Sequence, residues 1–344
     1  MNSQPQPTMR DVAERAGVSY QTVSRVINDA QGVAPETRER VLAATRALNY
    51  RPSLAARSLV RKRTETVGLV MPFSIDFTFS DAHLLQVVGG VDRGVSECDY
   101  SLLLSSPQES EGGMSAFRRL IRQRSVDGVL VEAGMGEDGI ELLRDAGYPV
   151  VVIGHTELDV PSVLPDDGNG AYVAMQHLLA LGHRRIGLIT GPEPATLAMR
   201  ARWAGCEHAL GDAGLRLSHD LVESGGLTIE AGYDAAKLLV QRTDPPTALF
   251  AFNDSMAIGA LHYLRDNRID VPGDMSVAGF DDIPTAPLLT PSLTSVRIFS
   301  ADLGQRAART LVGMLRGMPA PTTPVVLPSQ LIVRSSTAPR GRRG

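Results

Sequence analysis

The sequence predicts an all-α helix-turn-helix head followed by an α/β core of two similar lobes, and three observations predict it. The stretch Met9–Asn28, MRDVAERAGVSYQTVSRVIN, puts glycine and small residues where two crossing helices need them. From Thr66 onward, short β-branched runs alternate with helical stretches in two successive series. Strands alternating with helices imply parallel sheets covered on both faces. The charge is also split. The chain of 344 residues carries −4 overall, yet residues 1–63 hold eleven Arg or Lys against five Asp or Glu, so a head of +6 precedes a body of −10. A basic head on an acidic body is the electrostatic footprint of a nucleic-acid-binding module joined to something that is not one.

Residues 1–8 are expected to be a disordered tail, and 9–52 the head. Two helices crossing at roughly 90–120° leave room for only a short turn. Gly17 stands at that turn, where only glycine takes φ > 0 without penalty. Ala13 is small enough to let the helices approach, and Val12, Ala16, Val18, Val23 and Val26 form an apolar wedge. Ser19 is placed to cap the second helix. That leaves Tyr20, Gln21, Ser24 and Arg25 on its outer face. The N-terminal residues of such a helix meet base edges in the major groove, where Gln pairs with adenine and Arg with guanine. Thr22 and Ser24 contact base edges or phosphates on this reading, and Asn28 completes the DNA-facing set. A hairpin used only for packing is the rival, and the agreement of so many positions in one window argues against it. Gly32 lies in the loop Asp29–Ala34. Pro35 opens a third helix at its first position, where the missing N–H costs nothing. Glu36 and Glu39 suit its positive end. Val41, Leu42, Thr45 and Leu48 are expected to close the head core, and Asn49–Pro52 ends it.

Residues 53–63 read as a connector: SLAARSL is helix-favouring but too short to hold a helix alone, so a plain linker is one reading of it and a helix formed only with outside support is the other. Residues 64–337 read as the core. Its first strands are Val67–Met71, Ser101–Ser105, Val126–Glu132 and Val150–Gly154, with helices near 81–97, 112–124 and 137–146. The second series is Arg185–Thr190, Leu221–Ser224, Ala248–Phe252 and Ser276–Phe280, with helices near 169–181, 198–213, 228–241 and 255–267. Leu293–Ile298, a helix near 300–316 and the extended stretch Pro324–Val333 follow. The end, Ser335–Gly344, is basic and expected to be disordered, with 338–344 set apart as a tail. Cys98 and Cys206 stand far apart and read as reduced core thiols. No apolar run is long enough for a membrane span, and the polar N-terminus lacks a secretory h-region, so a cytoplasmic protein is expected.

The run DVAERAGVSYQTVSRVIN resembles the DNA-binding headpiece of the lac repressor (LacI/GalR) family, and Val18–Val26 looks the same as the recognition helix of the repressor that names it. The resemblance implies a bacterial, ligand-controlled transcriptional repressor. It makes 53–63 a hinge helix that folds only on DNA, paired with its dimer mate. Leu59 would then wedge into the minor groove, while Ala55 and Ala56 allow close pairing. Such wedges kink DNA by unstacking a base step. The core resembles the periplasmic-binding-protein architecture, whose chain crosses between lobes three times. By analogy the crossings fall near 162–166, 289–294 and 321–325. The N-lobe is then 66–163 and 294–322, and the C-lobe 164–293 and 323–337.

Ligands in open α/β sheets bind at the carboxyl ends of strands. Asn253 and Asp254 follow one strand, Asp281 and Asp282 another, and Arg202 opens a helix after a third. An amide, a carboxylate and a guanidinium suit a polyhydroxylated ligand, whose hydroxyls both donate and accept. Taken alone, Asn253 or Asp254 could equally cap the following helix. The family resemblance implies effector contacts at Arg202, in its R-x-x-G segment, Asn253, in A-x-N-D, and Asp281, in G-[YF]-D-D. His155, at a strand end, is a further hydrogen-bonding candidate, and Phe77 or Phe79 a stacking face. The pocket departs from that of the family's namesake. Gly154 stands where a galactoside-binding aspartate is expected, and Leu227 where a tryptophan is. The operator is therefore expected to be lac-like, and the inducer need not be a galactoside.

An enzyme is disfavoured: there is no G-x-G-x-x-G opening a helix after the first strand, no P-loop, no H-E-x-x-H and no G-x-S-x-G. The seven histidines lack metal-ligand spacing, and no cofactor or metal is expected. A solute-binding sugar receptor fits the body but has no use for a basic head. With the family resemblance, the sequence reads as a homodimeric repressor. Its partners are near-palindromic double-stranded operator DNA and a small carbohydrate effector, with no membrane.

Overall fold

The computed structural model describes residues 7–27, 31–50, 63–108, 112–134, 137–192 and 195–341. Asn28, Ala55, Ala56 and Leu59, with nearly all of the hinge stretch, lie outside them. The chain divides into two compact units, Met1–Glu65 and Thr66–Gly344.

The first unit contains α1 (Met9–Ala16), α2 (Tyr20–Ile27) and α3 (Pro35–Ala47). Thr8, assigned to the tail on sequence, is in fact the cap of α1. Its hydroxyl accepts from the Asp11 amide, and its own amide donates to Asp11 Oδ2 at 2.6 Å, closing a capping box. Gly17 turns the corner in the left-handed region at φ 63°, and its amide donates to the carbonyls of Ala13 and Glu14. Arg40 on α3 clamps the same corner, donating to Ala16 O at 2.8 Å and Gly17 O at 3.2 Å. Val12, Ala13, Ala16, Val23, Val26, Val41 and Ala44 are buried together. Leu42, expected in this core, is instead 40% exposed. One residue along a helix turns the side chain by about 100°, so Val41 and Leu42 cannot share a face.

The second unit holds two six-stranded sheets. The N-lobe sheet contains β1 (Thr66–Val70), β2 (Ser101–Ser105), β3 (Gly128–Glu132), β4 (Val150–Ile153) and β5 (Ser162–Pro165). The C-lobe sheet contains β6 (Ile186–Thr190), β7 (Val222–Ser224), β8 (Ala248–Ala251), β9 (Ser276–Asp281) and β10 (Thr294–Arg297). The last two strands separate: β11 (Val325–Leu327) joins the N-lobe and β12 (Gln330–Ile332) the C-lobe. The orders are β11-β5-β4-β3-β1-β2 and β12-β10-β9-β8-β6-β7. Every neighbouring pair is parallel except β10 with β12. Helices α4 (Ile75–Ser80), α5 (Ala82–Ser96), α6 (Ser115–Gln123) and α7 (Asp138–Asp145) connect the first series. The second is connected by α8 (Asp167–Ala180), α9 (Leu197–Asp212), α10 (Ile229–Val240) and α11 (Asp254–Asp266). Then α12 (Ser300–Leu315) packs against α5 and the N-lobe strands β3, β4 and β5. Among the described residues no helix is long and apolar enough to cross a membrane.

Three expectations change. The chain passes between lobes around 166, 298–299 and 328–329, so the second and third crossings are later than 289–294 and 321–325. The reason is pairing: β10 bonds to β9, with Thr294 opposite Ala278, and β11 bonds to β5, with Val325 opposite Val163. An apolar run does not reveal which sheet will take it. The stretch between β1 and the helix expected near 81–97, to which no element was assigned on sequence, contains α4, capped by Ser74. The end of the chain is not loose from Ser335. Ser336 is buried, its hydroxyl donates to Val277 O at 2.6 Å, and the Arg340 amide donates to Leu181 O at 2.8 Å.

Candidate functional site

Two places gather the predicted functional residues. The first is the outer face of α2. Ser19 caps the helix as expected, its Oγ accepting from the Thr22 amide at 3.1 Å and lying 2.9 Å from Thr22 Oγ1. Tyr20 is 52% exposed, Gln21 and Arg25 are exposed, and Thr22 and Ser24 are half-buried beside them. Val23 and Val26 anchor the opposite face in the head core. Arg25 Nη2 donates to Gln31 O at 3.1 Å.

The second is a cavity of about 390 Å³ between the two lobes of the core. Its N-lobe wall carries His83 from α5, Glu132 at the carboxyl end of β3, and Gly154 and His155 after β4. Its C-lobe wall carries Asp167 at the start of α8, and Thr196, Arg200 and Arg202 on or before α9. Gly154 holds φ 108°, and a Cβ there would stand 2.7 Å from that of Ala133, so the turn that delivers His155 requires glycine.

Asp167 joins the walls. Its Oδ1 accepts from Arg202 Nε and its Oδ2 lies against His155 Nε2, both at 2.7 Å. Burial works to raise its carboxyl, but the Arg202 guanidinium and then the His155 bond outweigh it and hold the group below the usual carboxylate value. Arg202 is itself 6% exposed. Its guanidinium lies 3.7 Å over the Phe280 ring, donates to the Phe252 carbonyl, and approaches Asp281 Oδ1 at 3.7 Å. Burial pushes Asp281 well above the ordinary range, with Arg202 opposing. Asp281 and Asp282 both have positive φ, 106° and 52°, where non-glycine backbone is strained. Nearer the rim, Arg200 Nη2 reaches Glu157 Oε1 at 3.4 Å across the lobes, both side chains being exposed. Glu137 Oε1 accepts from Thr156 Oγ1 at 2.5 Å and the Glu157 amide at 2.6 Å, ordering that loop.

Of the residues expected at the effector, Arg202 and His155 line this cavity, and Asp281 stands behind Arg202. Asn253 and Phe77 are not on its wall. Asn253 caps α11, accepting from Met256 N at 2.7 Å and donating to Leu227 O at 3.0 Å. The capping alternative is therefore the one its geometry realises. Phe77 packs against Phe73, ring centroids 4.6 Å apart, within the N-lobe core, and Phe79 is exposed. Asp254 is buried beneath the site, with Ser295 Oγ donating at 2.6 Å and Ile283 N at 2.9 Å, and burial pushes its carboxyl up to about 7. Asp282 is held by Arg297 and Arg334.

Glu132, Asp167 and His83 were missed on sequence. Glu132 had a signal: it ends the apolar run GVLVE, where carboxyl ends of strands meet ligands. Asp167 had one too, as the second of two aspartates at a lobe crossing. His83 had none, because only the packing of α5 on α12 places it 2.8 Å from Ser300 Oγ at the cavity.

Two family models match the chain. Bacterial regulatory proteins of the lacI family match residues 8–53, and a periplasmic binding protein-like domain matches residues 175–337. The HTH-type transcriptional repressor PurR of Mannheimia succiniciproducens is 32% identical over 96% of this chain and 98% of its own. Among solved structures, the lac repressor dimer bound to operator and the anti-inducer ONPF superposes with a TM-score of 0.85 at 28% identity, covering 96% of this chain and 99% of that one. The transcriptional regulator CelR–cellobiose complex gives a TM-score of 0.73 at 34% identity, with the same coverage.

Proposed function

The chain belongs to the lacI family of bacterial regulatory proteins, and from that premise we propose that it is a homodimeric repressor whose hold on a lac-like operator is controlled by a small carbohydrate in the interlobe cavity. Tyr20, Gln21 and Arg25 read bases, while Ser19, Thr22 and Ser24 position the helix on base edges or phosphates. The support is the exposed face they form on α2. Asn28 and Leu59 enter through the family resemblance, as a recognition-helix contact and a minor-groove wedge. An isologous dimer presents two such readers, so the operator is a near-palindrome of two half-sites. The protein works in the bacterial cytoplasm, where its DNA lies.

One observation carries the effector reading: His155 of the N-lobe and Arg202 of the C-lobe meet on the single carboxylate of Asp167, at a cavity of about 390 Å³. A ligand that contacts this triad favours one lobe arrangement over another. A full switch needs differential affinity of about 5 kcal/mol for the two states. Arg202 and His155 are the direct contacts, with Asp281 bracing Arg202 and Asn253 securing the helix behind. Cellobiose in the similar CelR complex supports the ligand class.

The test is operator binding at fixed salt, with a lac-like palindromic duplex against a scrambled one, with and without mono- and disaccharides. Preference for the palindrome, altered by one sugar, is the expected result. Equal binding to both duplexes overturns the assignment of Tyr20, Gln21 and Arg25. Specific binding that no sugar alters overturns the carbohydrate assignment alone.

A further inference from the structure

Among the described residues, Glu132 brings to the cavity wall a buried polar atom without a hydrogen-bond partner. It closes β3, whose five residues are all buried, and is itself only 8% exposed. Its Oε2 is buried and has no hydrogen-bond partner among the described residues. A buried polar atom without a partner costs free energy until one arrives, and a group at the carboxyl end of a strand is where an α/β sheet meets its ligand. The neighbouring buried or half-buried groups of the wall have partners: Asp167 has Arg202 and His155, Glu137 has Thr156, and His83 has Ser300.

We propose that Glu132 is a specificity-determining contact of the cavity, and that this wall selects an uncharged, hydroxyl-rich effector and rejects phosphorylated sugars. The proposal rests on the effector reading above and deepens it. Among the described residues, four carboxyl groups line the cavity, Glu132, Glu137, Glu157 and Asp167, against two guanidiniums, Arg200 and Arg202. Of the two, the buried Arg202 is committed, whereas Arg200 lies at the exposed rim. Arg202 serves Asp167 and Asp281, and Arg200 serves Glu157. A phosphate entering the buried part of the cavity would have to displace a protein carboxylate from Arg202. Burial, with Asp81 adding to it, pushes Glu132 toward its neutral acid form, and burial holds His83 toward neutral imidazole. A neutral carboxylic acid both donates and accepts, as a sugar hydroxyl does, so the two pair without net charge.

The experiment is calorimetric titration of the full-length protein with glucose, galactose, ribose and cellobiose, and with glucose 6-phosphate, galactose 6-phosphate and ribose 5-phosphate. An uncharged sugar should bind, and its phosphate should bind at least about ten-fold more weakly. For the sugar that binds, Glu132→Ala should weaken binding by about ten-fold or more, and Glu132→Gln by less, since the amide still donates and accepts. Both variants should grip operator DNA as the unsubstituted protein does when no sugar is present, which separates lost contact from lost fold. A phosphate that binds as well as its parent sugar overturns the inference while leaving the effector reading intact. So does unchanged affinity in Glu132→Ala. Binding of no sugar from either set, with specific operator binding retained, overturns the carbohydrate reading and the inference with it.

Discussion

Replacing Arg202 by alanine tests how the core is held together as well as how it binds. Arg202 is 6% exposed and serves three elements: Asp167 at the head of α8, the Phe252 carbonyl after β8, and Asp281 and Phe280 at the end of β9. Asp281 is already pushed toward its neutral form by burial, so it can absorb the loss by taking up a proton. Asp167 cannot do so cheaply, because it is held as the anion and Arg202 is its main opposing charge. Removing one partner of a buried pair costs about 3–5 kcal/mol, mostly from the charge left behind. The stacking on Phe280 lies within that range and is not added to it. Arg202→Ala should therefore lower the urea stability of the core by about 3–5 kcal/mol at neutral pH. The chain's single tryptophan, Trp203, sits next in sequence and is half-buried, so its fluorescence reports the transition. Adding Asp167→Asn to Arg202→Ala should recover part of the loss, because the orphaned anion is gone. The double variant should remain unresponsive to effector. A loss below about 1 kcal/mol, or no recovery in the double variant, would refute the claim that Arg202 neutralises a buried anion.

Three further predictions concern other places. Gly154→Ala should lower the thermal midpoint, at a cost of about 1–3 kcal/mol, because alanine is strained at φ 108° and its Cβ would crowd Ala133; an unchanged midpoint would show that the turn tolerates a side chain. Asp254, at about 7 in the fold against 3.8 ordinarily, makes the folded core bind more protons than the unfolded chain between those values. Stability should therefore fall as pH rises through that window; Glu132 and Asp281 have the same sign, whereas Asp167 protects above 3.8 and is lost as pH falls through its lowered value. Urea midpoints measured from about pH 5 to about pH 8 should decline less in Asp254→Asn than in the unsubstituted protein, and an equal decline counts against the assignment. Arg25→Ala should cost roughly 1–3 kcal/mol of discrimination at one base position, read by competition among single-base operator variants, and an unaltered preference would remove Arg25 from the readers.

The head was legible in sequence because its constraints are local. Gly17, Ser19 and Pro35 each answer a demand set within a few residues, and each stands where expected. Leu42 was misplaced only because helical phase had to be taken from a mixed pattern. The alternating elements of the core were legible for the same reason. Which lobe took β10 and β11 was not, since an apolar strand fits either sheet and hydrogen-bonding neighbours from distant sequence decide it. Ser335–Arg340 looked like a loose basic end, yet Ser336 finds Val277 and Arg340 finds Leu181.

The division is sharpest at the cavity. The sequence by itself determined the helix-turn-helix corner, the two βα series and the polar residues at strand ends, because propensity, capping and periodicity act over one or two turns of chain. It could not say which of those polar residues face the cavity and which brace the fold. Asn253 and Arg202 carry equally suggestive motifs, yet one caps a helix and the other lines the cavity. Only the tertiary structure brought His155, Asp167 and Arg202 within hydrogen-bonding distance and left Glu132 Oε2 buried without a hydrogen-bond partner among the described residues. Burial and pairing are properties of the assembled lobes, and they set which carboxylates are neutralised, which are charged and which still need a ligand.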